Sequence, residues 1–178
     1  MSRRLHVFRD PDRCVVGTVG LPGERTFFLQ VRQGADLVSV VLEKQQALAL
    51  ADRMEEVVEE SSSTISLEFS AQDADVDPLD APIIEEFRAA ALALGWDEQA
   101  HAVVIEAHAD GEIPQIGSDD EDAPDTLRVW LSVPMAQQFI TRTRRVVAAG
   151  RPPCPFCSQP LDPGGHLCPR ANGYRRRG

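Results

Sequence analysis

Three of the four cysteines in this chain fall within residues 154–168, in a stretch whose prolines and glycines keep it out of any long regular element. It reads Arg151-Pro-Pro-Cys154-Pro-Phe-Cys157-Ser-Gln-Pro-Leu-Asp-Pro-Gly-Gly-His166-Leu-Cys168. A Cys-x-x-Cys pair grips one ion from a single tight turn, and the eight residues after Cys157 let the chain reverse. His166 and Cys168, two apart on an extended segment, then present their side chains to the same side. Four soft or borderline donors suit tetrahedral Zn²⁺ and close a structural site, leaving no position for a catalytic water. Phe156, Leu161 and Leu167 are too few to hold this segment by burial, so metal binding supplies its folding energy. The second half of the motif is shorter than the Cys-x-x-Cys pair of a zinc ribbon, and Cys14, His6, His101 and His108 stand as alternatives to His166. A redox role for Cys154 and Cys157 needs a motif that opens a helix, which Pro155 and Pro160 disfavour.

Everything before residue 151 has the material for a core of its own, with 43% of the chain hydrophobic and 26% charged. No stretch approaches the roughly 20 consecutive apolar residues that span a bilayer, and Met-Ser-Arg-Arg-Leu-His lacks the apolar run of a signal peptide. The expectation is a cytoplasmic protein whose cysteines argue for metal or chemistry before disulfides. Its net charge of −10 is unevenly spread. Residues 142–178 carry eight arginines against Asp162 alone, a net of +7, whereas residues 1–141 carry a net of −17. So acidic a body repels nucleic acid, whose affinity rests on neutralising phosphates; only the tail could reverse that.

Glycine and proline divide the body into apolar segments of strand length. Leu5–Phe8, Cys14–Val19, Thr26–Val31 and Leu37–Leu42 are β-branched and aromatic runs, and Leu21-Pro-Gly-Glu24 places Pro22 and Gly23 for a type II turn. From Glu43 to Glu60 the period becomes helical, with Ala47, Leu50, Ala51, Met54, Val57 and Val58 on one face. A second unit repeats the pattern. Val103–Ala107 matches Phe27–Val31, Leu127–Leu131 matches Val38–Leu42, and a helix follows from a capping Ser132 through Met135, Phe139, Ile140 and Val146 to Gly150. Aligning Leu42 with Leu131 sets Ala47 on Ala136. The repeat assigns Glu86–Leu94 to a strand turning at residues 95–98, against its helix propensity. A further strand is expected at Thr64–Phe69, and the acidic insertion at residues 117–125 is expected to be solvated.

The expected fold is therefore α+β: duplicated β-β-β-α units, about residues 3–61 and 84–150, joined by a linker at about 70–82. They form one antiparallel sheet with two helices on one face, and residues 151–178 add a small zinc-ribbon or knuckle-like module with a basic tail. Several features invite a function and have a plainer account. Gly17, Gly20 and Gly23 beside Arg25 precede a strand, not a helix N-terminus, and so read as hairpin glycines. Glu106 and His108 share a strand face as an acid–base pair would, without a nucleophile. Arg128 and Trp130 point away from the helices, either as partner-binding anchors or beneath a loop or the zinc module. Arg170, Tyr174, Arg175, Arg176 and Arg177 combine charge with one aromatic ring, suited to a protein partner, to the body's own acidic surface or to nucleic acid.

The string Cys-Pro-x-Cys…Pro-Leu-Asp-Pro-x-Gly-His-x-Cys-Pro-Arg-Ala-Asn-Gly-Tyr resembles the signature of an uncharacterised actinobacterial family, domain of unknown function 3090. Gly17–Gln30, Leu42–Gln46, Ala93–Asp97 and Gly150–Cys157 match it as well, and Ser158 departs from it where glycine is expected. The resemblance implies an intracellular protein, often encoded near a lipid-kinase-like one, and supplies no reaction. The sequence thus leads to a zinc-binding, non-catalytic adaptor, with a nucleic-acid regulator acting through the tail and an enzyme with a pocket between the repeats as alternatives.

Overall fold

The apolar runs become strands and the helical periods become helices. In the computed structural model, which describes residues 3–61, 75–111, 115–161, 164–168 and 170, the order begins β1 (Leu5–Phe8), β2 (Arg13–Val19), β3 (Thr26–Gln33), β4 (Asp36–Leu42) and α1 (Lys44–Ser61). It continues with β5 (Glu85–Arg88), β6 (Ala91–Asp97), β7 (Ala102–His108), β8 (Thr126–Ser132) and α2 (Val133–Ala148). Thr64–Phe69 lies outside the described residues. The Leu21–Glu24 turn is as expected: Glu24 N–H donates to Leu21 O and Gly23 takes φ +97°, the left-handed conformation that type II requires.

The strands do not form one antiparallel sheet. They form two four-stranded sheets, β1-β8-β7-β6 and β2-β3-β4-β5. Each has three antiparallel strands in chain order and a fourth that joins in parallel at the edge, β1 on β8 and β5 on β4. That fourth strand is exchanged: β1 precedes β2 in the chain but completes the sheet of β6–β8, while β5 precedes β6 and completes the sheet of β2–β4. The registers of the two sheets correspond. Phe27 faces Leu42 as Val103 faces Leu131, and Gly17 faces Phe28 as Gly95 faces Val104.

The exchange corrects the assignment of residues 86–94, which are two strands in different sheets. Ala89 N–H donates to Val41 O (2.9 Å) and the next amide, Ala90, to His108 O (2.8 Å). Two consecutive residues thus bond to opposite sheets, and only methyl side chains occupy the crossing. β6 runs on through Gly95 and Trp96, so the turn falls later, where Asp97 Oδ1 accepts the N–H groups of Gln99 and Ala100.

Both helices lie against the inner faces of the sheets and against each other. Ala47, Leu50, Ala51, Met54, Val57 and Val58 of α1 are buried, as their spacing indicates. Ser132 caps α2, its side chain accepting the Met135 N–H, and Pro134 fills the first turn. The two helices, Phe27, Leu29, Val31 and their counterparts Val103, Ile105 and Ala107 share one core. Among the described residues no helix is long and apolar enough to cross a membrane.

The outer sheet faces are covered too, by irregular segments. A Cβ on Gly17 would come within 2.5 Å of Leu79, and one on Gly95 within 3.4 Å of Ile116. Residues 75–84 therefore cover the second sheet, where Gln30 exchanges hydrogen bonds with the backbone of Asp80. Residues 115–125 lie over the first: Gly117 N–H donates to Glu106, and the Arg128 guanidinium to Ser118 O and Asp119, while residues 119–122 of the 117–125 insertion are exposed to solvent as expected.

Asp75 pins the first cover. Arg13 Nε lies 2.6 Å from its Oδ2 and Arg142 Nη1 2.7 Å from its Oδ1. The hydrogen bond from Arg13 holds the carboxyl below its usual range, against burial, with both guanidinium charges adding to the effect. Because the folded value is depressed, the contribution is complete above the unfolded value of about 3.9 and is lost as pH falls through the folded one. Replacing Asp75 with Asn is expected to cost about 1–3 kcal/mol in denaturant unfolding at pH 7, with the two proteins converging in acid below the carboxylate range. A constant difference down to pH 2 would show that the carboxylate charge is not what matters.

Candidate metal centre

The chain leaves α2 at Ala149, whose N–H donates to Arg145 O, and enters the proline-rich segment. Cys154 N–H donates to Gln159 O (2.7 Å), Ser158 N–H to Cys154 O (2.8 Å) and Leu161 N–H to Pro152 O (2.8 Å). Pro153 bridges to Pro160. These bonds close a narrow knuckle that sets Cys154 and Cys157 on one side of its tip. Ser158 takes φ +61° to make the reversal, which explains why glycine is the residue expected there. The return segment carries His166 and Cys168 back over the knuckle, with Gly165 at φ +83° bending it into place.

The donor atoms of Cys154, Cys157, His166 and Cys168 all lie within 4.8 Å of one another. Cys154 Sγ and Cys168 Sγ are 3.8 Å apart, and Cys157 Sγ and His166 Nε2 are 3.3 Å apart. Tetrahedral Zn²⁺ with zinc–sulfur bonds of about 2.3 Å puts two thiolates about 3.8 Å apart, and a thiolate and an imidazole nitrogen about 3.6 Å apart. The residues fit the ion. Cys154 and Cys168 are buried while Cys157 and His166 are half-buried, so the site sits just under the surface. The Cys157 thiol stands above its usual range: the Gln159 N–H pulls it down, but partial burial and the adjacent Cys168 and Cys154 push it up further. A divalent cation removes that mutual repulsion, because coordinated thiols are deprotonated outright. Nε2 of His166 faces the sulfurs, and Nδ1 is buried without a partner among the described residues.

The alternative ligands are elsewhere. Cys14 lies in β2 within the main core, its thiol pushed far up by burial. His6 Nε2 is 3.3 Å from Glu86, and His108 Nδ1 is 3.0 Å from Thr126 Oγ1.

A family model described as "Protein of unknown function (DUF3090)" matches residues 6–168. The chain belongs to this family. The match ends on Cys168, so body and candidate ligands fall within one family unit. No curated protein and no solved structure matches the chain.

The remaining candidates are placed as follows. Glu106 and His108 do share a face, with Nε2 3.3 Å from Oε2; both side chains are fully buried, and Gly117 N–H donates to Glu106. Burial holds His108 below the usual imidazole range, outweighing the pull of Glu106. Arg128 is 4% exposed and Trp130 8%. The loop covers the first; Arg9 stacks on the second at 4.2 Å, and Asp97 accepts its indole N–H. Arg170 donates to Phe156 O, while Tyr174, Arg175, Arg176 and Arg177 lie outside the described residues.

Two functional-looking residues had gone unremarked. Arg142 occupies a buried position of α2, in phase with Phe139 and Thr143, and donates to Val16 O and Asp75. Arg3 ties the acidic loop to the N-terminus through Ser118 O, Asp120 O and Pro124 O. A charge in phase with a core stripe was visible for Arg142; nothing local marks Arg3.

Ser158→Gly relieves the left-handed strain and is expected to stabilise the knuckle by about 0.5–1 kcal/mol. The gain should appear as slower metal loss to a chelator, with the unfolding of the body unchanged. Faster loss would show that the serine side chain contributes more than its backbone costs.

Proposed function

We propose that this protein is a zinc-stabilised binding module without catalytic activity, in which the ion holds the C-terminal knuckle in one shape so that it presents a recognition surface. The single observation behind this is the convergence of three thiols and one imidazole within 4.8 Å. Four protein donors fill the coordination sphere of zinc, which favours a structural over a hydrolytic role. The surface so presented is apolar with basic flanks: Phe156 is 61% exposed and Leu167 89%, with Arg170 alongside. Exposed aromatic and aliphatic side chains on a rigid support are the usual anchors of protein recognition. A nucleic-acid role has less behind it, since Arg142 and Arg144 are engaged by Asp75 and by Asp52 and Glu55.

The same proposal takes the body as a duplicated unit. In its support, both halves run β-β-β-β-α, with matching registers and an exchanged first strand.

Metal analysis of the purified protein is expected to give about one zinc per chain, and Cys154→Ser to bring it close to zero while the amide spectrum of the body stays unchanged. Wild-type protein without metal would remove the proposal. For the recognition surface, Phe156→Ser with Leu167→Ser should retain zinc yet lose whatever co-purifies from the native host; undiminished recovery would move the contact elsewhere.

A further inference from the structure

Two clefts occupy corresponding places in the two halves. In the first, Met135, Gln138, Phe139 and Arg142 of α2 face residues 12–15, where the chain enters β2. In the second, Gln46, Ala49, Leu50 and Arg53 of α1 face residues 90–94, where it enters β6. Setting Leu42 on Leu131 superposes the four helix positions one for one, and setting Gly17 on Gly95 superposes residues 12–15 on 90–93. The linings are the same positions in two copies.

They differ in what enters them. Asp75, on an irregular segment from outside either strand or helix, reaches into the first cleft and bonds Arg142, leaving about 60 Å³ of space. The second cleft holds about 390 Å³, and its lining among the described residues comes only from α1 and residues 90–94. Arg53 stands where Arg142 stands, but it turns out to Glu56, an i,i+3 pair more than half exposed on both sides, which solvent weakens. Arg142 also caps the open edge of β2 through Val16 O. Among the described residues β6 pairs with β7 alone; it is half-buried along its whole length and carries no charge before Asp97. Proteins generally blunt or cover such an edge.

We propose that the cleft between α1 and β6 is a docking site for a linear segment of a partner protein that carries an aspartate or glutamate, received by Arg53 as Asp75 is received by Arg142. The inference rests on the correspondence of the two halves and not on the metal. Ala91 replaces Arg13 at the cleft wall, so one guanidinium rather than two meets the acid. Ala49, Leu50 and Ala93 offer room for small apolar neighbours on either side of the carboxylate. Such a segment lying along β6 gains main-chain hydrogen bonds from the edge that no described strand pairs, with the side-chain pocket supplying selectivity.

The test uses the full ¹⁵N-labelled chain, titrated with acetyl-Ala-Val-Asp-Val-Ala-amide and with the same peptide carrying Asn for Asp. Amide shifts should concentrate at residues 46–53 and 90–94, with the Asp peptide at least tenfold tighter. Arg53→Gln, on an exposed position, should keep the thermal midpoint and bind both peptides alike. Equal affinity of the two peptides for the wild type, shifts elsewhere, or none at millimolar peptide overturns the proposal. Shifts at the same residues on concentrating the protein without peptide assign the cleft to a second copy of the chain and overturn it as well. Running the titration on Cys154→Ser separates this from the metal: peptide binding retained without zinc leaves the docking site standing whatever becomes of the knuckle.

Discussion

Arg142 carries its positive charge into a site where it is only 5% exposed, and three acceptors receive it: the Val16 carbonyl, the Asp75 carbonyl and the Asp75 carboxylate. A buried guanidinium left without partners is strongly destabilising, by about 3–5 kcal/mol, so each acceptor is effectively fixed by it. Through Val16 the helix α2 is tied to the edge of β2. Through Asp75 the segment that crosses the second sheet is anchored to α2, and Leu79 and Asp80 follow onto Gly17 and Gln30. The inner layer, the sheet edge and the outer cover of that sheet thus depend on one side chain.

Much of this architecture was legible in the sequence. The strands of hairpins and the two amphipathic helices announce themselves by local period, and the capping serine and the type II turn by local chemistry. The four candidate ligands were legible because their short spacing, broken by prolines and glycines, lets them converge, as they do. What escaped were features with distant causes. Parallel pairing of β1 with β8 links residues 5–8 to 126–129 without any local mark, so two sheets looked like one. The alanine-rich stretch 89–93 hid a crossing between sheets, since small side chains suit strand, helix and crossing alike. Arg128 lies beneath the acidic loop, and Trp130 lies against Arg9 and Asp97, contacts that no local pattern marks. Glycines inside strands were the available clue: Gly17 and Gly95 sit where another segment lies against the sheet, and Gly17 had been explained by its hairpin alone.

The uneven charge of the chain also has a structural account. Arg142 and Arg144, though counted with the basic tail, belong to α2 and are met by the body's own carboxylates. The acidic loop is likewise held from beneath by Arg128 and Arg3. The body therefore spends several of its cations internally, leaving much of the acidic surplus on its surface, with Arg170 on the knuckle beyond it.

The exchanged strands bear on how the protein is made. β1 and its partner β8 are separated by most of the body, so β1 emerges long before the strand it pairs with in the finished sheet. β5 has no such delay, because β4 is already out when it emerges. Sheet completion then follows the order of synthesis: the sheet of β2–β5 can close once β5 has emerged, and the sheet that β1 joins can close only after β8 has.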